Sequence, residues 1–170
     1  MYAMNRILVG NIVALISSLL MIYIGFLKDK KSILVYQIVN YGILGISNVI
    51  LGGISGLISN ILSIARNVIC LKYDFNTKFK ILFLVIQALF TFIWNREGIF
   101  GILPFVAVTI NILFLDAKNI KVFKGSIIAS LSLWSIYDFS LRNYIGGTFS
   151  VISVITNLVA LLSMIRKERQ

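Results

Sequence analysis

Two amides set in long apolar stretches, Asn60 and Asn157, are the side chains of this chain best placed to do chemistry. That chemistry is recognition, because an amide offers donors and an acceptor to a polar ligand without placing a charge in an apolar medium. Polar groups in such surroundings are unfavourable unless paired or wetted, which marks them as functional candidates. Each sits on a stripe at helical spacing: Gly53, Gly56, Asn60, Ser63 and Asn67 in one segment, and Ser150, Ser153, Asn157 and Ala160 in another. Gln37, Asn40 and Tyr41 add polar groups nearby, and Trp134 offers an aromatic face. Amides opposite an aromatic ring suit a sugar or a planar heterocycle. The competing account is helix-to-helix bonding, worth ~0.6–2 kcal/mol per contact.

Bond-making chemistry finds little support. The chain has no histidine and a single cysteine, Cys70. It therefore lacks the commonest general base and the commonest metal ligand, and it can form no internal disulfide. No phosphate-binding loop, zinc-protease motif or nucleophile elbow is present. The reading is of a non-enzyme with no cofactor and no metal, in which a reactive Cys70 would be the only catalytic foothold. No Asp, Glu or Lys falls deep in an apolar segment, where ion-coupled pumps place ionisable groups. Passive movement of a neutral polar solute is the expectation.

These residues must be positioned by membrane helices. The 170 residues are 59% hydrophobic, with a mean hydropathy of +0.96. Seven apolar segments are predicted, at 7–27, 32–50, 52–71, 79–95, 98–117, 122–140 and 144–166. A transmembrane helix needs about 20 apolar residues, so seven spans use nearly the whole length. The basic residues fall into alternate gaps: Arg6, Arg96 and Arg142 on one side, and the other 13 of the 16 on the opposite side. Short cytoplasmic loops are enriched in Lys and Arg. The N-terminus is therefore expected outside, and the C-terminus in the cytoplasm. The net charge of +10 is absorbed by this rule and by headgroups, which excludes a nucleic-acid partner. Lys28, Lys30 and Lys31 after the first segment outnumber Arg6 before it, so that segment reads as a retained span and not a signal peptide.

A shift of 94 residues aligns Ser32-Ile33 with Ser126-Ile127, Gly52-Gly53 with Gly146-Gly147, and Ile58-Ser59 with Ile152-Ser153. The predicted fold is all-α, with seven transmembrane helices in a 3+1+3 arrangement of parallel triple-helix repeats. The units are 1–73, a linker helix in 74–97, and 98–170. Parallel repeats of this kind place substrate at the repeat interface near mid-membrane. Pro104 in the fifth span matches Gly10 in the first, and the pair is a candidate hinge. Equating Asn60 with Asn157 needs a shift of 97 residues.

The layout resembles the SWEET/SemiSWEET (PQ-loop, MtN3-like) sugar transporters. The run from Gln37 through Tyr41-Gly42, Gly52, Asn60 and Arg66-Asn67 looks like the YgjV-type bacterial inner-membrane proteins. The Pro-Gln pair that names the PQ-loop group is absent. The resemblance implies a facilitative transporter working by alternating access, with Asn60 and Asn157 facing the solute, in a bacterial inner membrane. Gln37, Asn40 and Trp134 complete the expected site. The partners are a small solute and the lipid bilayer, and the chain is a monomer or a homodimer. The alternatives are a nicotinamide-riboside-type carrier and a non-transporting scaffold. Arg66 is expected to snorkel to headgroups or to pair with Asp116 or Asp74 as an inner gate. Asp138 and Arg142 read as solvated loop charges or an outer latch.

Overall fold

The computed structural model describes residues 2–26, 30–73, 76–115, 117 and 119–167. Seven α-helices follow one another: α1 (Tyr2–Phe26), α2 (Lys30–Leu51), α3 (Ile54–Lys72), α4 (Thr77–Trp94), α5 (Leu103–Phe114), α6 (Ile120–Ser140) and α7 (Tyr144–Lys167). Polar caps start two of them: Asn76 accepts from the Lys78 and Phe79 amides, and Asn119 from the Lys121 amide. Five helices, α1 to α4 and α7, are long and apolar enough to cross a membrane. The helical stretch Gly98–Phe114 is shorter. α6 has the length, but Lys121, Lys124, Asp138 and its serines dilute its apolar character.

The predicted fifth span divides. A 3₁₀ turn at Gly98–Ile102 precedes α5, and Pro104 lies in the first turn of that helix. Proline suits this place because its missing N–H is not needed there. It starts the helix and does not bend it.

Burial runs opposite to that of a water-soluble bundle. Leu8, Ile12, Ile16 and Leu19 face outward along α1, while Asn40, Ser47, Asn48, Ser59, Asn60, Ser63 and Asn67 are buried. An apolar exterior around a polar interior is stable in lipid, where backbone polarity is satisfied within each helix. α1 packs on α2, α2 on α3, α3 on α5, α5 on α6, α6 on α7, and α7 on α1. The six helices thus close a ring. α4 lies on α3 and α5.

Two corners of the ring share one geometry. At the end of α2 the Gly53 amide donates to the Asn48 carbonyl and Gly52 to Val49, with Gly52 at φ +89°. At the end of α6 Asn143 donates to Asp138 and Arg142 to Phe139, with Arg142 at φ +60°. Both are Schellman caps. The paired positions, 52 with 142 and 53 with 143, are 90 residues apart, not 94. Gly146-Gly147, matched by sequence to the Gly52-Gly53 corner, lie inside α7. At an offset of 90, Asn157 corresponds to Asn67 and Asn60 to Ser150. The first helices keep the offset of 94. The Ser17 hydroxyl donates to Asn40 Oδ1 between α1 and α2, and Asn111 Nδ2 donates to Ser130 Oγ between α5 and α6. The same bridge recurs with the residue types exchanged.

Arg142 occupies a left-handed conformation that disfavours a Cβ by roughly 1–2 kcal/mol. Arg142→Gly is expected to raise the melting temperature of the purified protein by about 2–4 °C. An unchanged or lower value would show that the arginine side chain offsets the strain.

Candidate functional site

The polar interior is sealed at the end where the α2–α3 and α6–α7 corners meet. Glu97, between α4 and the 3₁₀ turn, accepts the Ser55 amide on both carboxylate oxygens at 3.2 and 3.3 Å. The Tyr137 hydroxyl accepts from the Gly56 amide at 2.8 Å and donates to Glu97 Oε2 at 3.2 Å. A carboxylate at the N-terminus of α3 satisfies amides that the helix leaves free and complements its dipole. Gly56 makes the approach possible: a Cβ there would lie 2.6 Å from Asn48 Nδ2 and 2.7 Å from Tyr137 Cε1. α3, the α4–α5 connection and α6 are thereby joined at one point.

A second joint crosses the α1–α7 seam. Asn11 on α1 donates to the Arg142 carbonyl at 3.0 Å and accepts the Ile145 amide at 3.0 Å. Beside it opens a cleft of about 300 Å³ whose lining includes Arg6, Ile50, Ser140 and Arg142. Asp138 is buried, and its Oδ1 accepts from Asn143 Nδ2 at 2.9 Å. The expected outer latch between Asp138 and Arg142 is therefore replaced by Asp138 with Asn143, while Arg142 is exposed.

Beyond the seal lies the face on which the amides were expected. Asn60 is 1% exposed, and neither its Oδ1 nor its Nδ2 has a partner. Gln87 Nε2 donates to Ser59 Oγ at 2.9 Å. Asn40 is bound by Ser17. Gln37 Oε1 accepts from Asn67 Nδ2 at 3.0 Å. Trp134 stands edge-on to Tyr137 and packs against the apolar cluster of Phe83, Val108 and Ile112. Asn157 is half-buried, and its Nδ2 donates to the Ser153 carbonyl of its own helix. α3 and α7 do not pack along each other, so the structure does not bring Asn60 and Asn157 together. Of the hinge pair, Gly10 admits the Leu51 side chain and accepts from Ser47, whereas Pro104 starts α5. Arg66 is buried and bonded to Asn67, not turned toward headgroups. Asp116 and Asp74, its expected partners, lie outside the described residues.

The model of a family described as "Bacterial inner membrane protein" (Imp-YgjV) matches residues 8–168. The chain belongs to the Imp-YgjV family. Membership assigns it to a bacterial inner membrane, in agreement with the several apolar helices. No curated protein and no solved structure matches this Imp-YgjV chain. The match takes in every interior residue named above, so the seal and the free amide of Asn60 lie within the Imp-YgjV region.

Glu97, Tyr137, Asn11 and Asn143 were not selected from the sequence. Their partners lie up to 134 positions away, and no periodicity connects them. The one available signal was an acidic residue, Glu97, in a loop next to Gly98.

Proposed function

We propose that this protein is a facilitative carrier of a small polar solute, working by alternating access between α1–α3 and α5–α7. The observation that carries the reading is Asn60, a fully buried amide with both hydrogen-bonding atoms free. A buried unpaired amide is unfavourable in the empty protein and becomes favourable when a ligand supplies its bonds. The order of packing supports parallel repeats: exchanging α1–α3 with α5–α7 leaves every neighbour relation in the ring unchanged. The recurring corners and the exchanged Ser–Asn bridge support it further. The lysine-rich end is taken as cytoplasmic, so the seal at Glu97, Tyr137 and Asn11 closes the outer face.

Proteoliposomes loaded against a panel of sugars, nucleosides and organic acids test the reading. Flux of at least one compound above that of empty vesicles is expected, with about a tenfold loss in Asn60→Ala, the equivalent of ~1.4 kcal/mol. Silence across the panel would overturn transport in favour of a scaffold. Flux unaffected by Asn60→Ala would move the site elsewhere.

A further inference from the structure

Arg66 is 3% exposed, inside a protein whose outer surface is apolar. Its Nε and Nη2 both donate to Asn67 Oδ1, at 3.1 and 3.0 Å, and Nη1 has no partner. No carboxylate among the described residues reaches it. A buried charge is unfavourable unless it is paired, and an arginine near a helix end ordinarily escapes by extending to the headgroups. This one is held inward. Asn67 gives its oxygen to Arg66 and its Nδ2 to Gln37, so a chain of amides fixes the guanidinium plane with one nitrogen free.

The charge is not required by the repeated architecture. At the offset of 90 that relates the two corners, Thr156 stands where the first half has Arg66. Further along α3, Ser63 and Asn60 are also buried, and both amide atoms of Asn60 are free. The cleft at the sealed end has the same sign of charge, lined by Arg6 and Arg142 and by no acidic residue.

We propose that Arg66 anchors an anionic group of the solute, a carboxylate or a phosphate, with Asn60 completing the site along α3. This deepens the transport reading and rests on it, and it replaces the neutral solute expected from the sequence. A planar guanidinium with a free edge suits either oxyanion, while the amide takes a hydroxyl or carbonyl on the rest of the molecule.

The test is thermal unfolding of the purified protein at matched ionic strength, with paired probes. Glucose is compared with glucose 6-phosphate, adenosine with its monophosphate, and glycerol with lactate and succinate. Added phosphatidylglycerol separates a lipid headgroup from a free solute. At least one anion is expected to raise the melting temperature by about 5 °C at saturation, and its neutral partner to leave it unchanged. Arg66→Gln should lose the shift and Arg66→Lys should keep part of it. Without ligand, Arg66→Gln should melt no lower than wild type, because it removes an unpaired buried charge; a large drop would assign Arg66 a structural role and overturn the proposal. Stabilisation only by neutral probes, only by phosphatidylglycerol, or by none of the anions would also overturn it. The carrier reading then stands or falls separately on flux: an anion that binds through Arg66 yet never crosses the bilayer would leave the site intact and remove the transport.

Discussion

Glu97→Ala should raise by about tenfold the rate at which a membrane-impermeant maleimide, added from outside, labels a cysteine at position 60. The reporter is Asn60→Cys in a Cys70→Ser background, so one thiol is present. Asn60 is fully buried, and in the proposed carrier the contact of Glu97 with Ser55 and Tyr137 closes the outer route to it. Alanine removes a carboxylate that accepts from two donors, the Ser55 amide and the Tyr137 hydroxyl. Hydrogen bonds to a charged group contribute ~1.5–3 kcal/mol. Glu97 is half-exposed, so the lower value applies, and ~1.4 kcal/mol is a tenfold change in the open population. Tyr137→Phe should give a smaller increase, since the carboxylate still caps α3. Equal labelling in all three proteins would show that the contact is not a gate.

Asn143→Leu is expected to have the largest effect on stability. The Asn143 side chain is fully buried, donates to Asp138 and accepts from the Gly146 amide. Leucine would leave a buried carboxyl group without its donor, which costs about 1–3 kcal/mol. It would also remove a cap from α7, ordinarily about 1 kcal/mol. The two losses share one side chain and are not additive. The melting temperature should fall by about 10 °C. The double variant Asp138→Leu/Asn143→Leu should recover much of this, because no orphaned carboxyl group remains. Recovery failing to appear would mean that the corner needs the polar pair for its shape.

The sequence was informative where the physics is local or periodic. Apolar runs and alternating lysines located seven helices to within a few residues, with the break at Gly98–Ile102 the main departure. That break depends on a left-handed glycine and a proline, which signal an interruption without saying whether a helix bends or begins. The pairing of the two alike corners was not legible, since glycines inside α7 mimicked the glycines of a corner. Arg66 was misread for a similar reason. A basic residue six positions before the end of α3 fits the topology rule whether it faces lipid or interior, and only packing decides. The seal at Glu97 was illegible because each of its contacts joins residues 40 or more positions apart.

The helix outside the ring makes its two seams unequal. α4 spans the junction of α3 with α5, while α1 and α7 meet with no helix laid across them. The assembly is bound like a book, with α4 as its spine and the α1–α7 edge clasped by the Asn11 bonds to the Arg142 carbonyl and the Ile145 amide. For the carrier proposed here, that geometry makes the motion a swing about the spine, with the bilayer as one wall of the opened cavity.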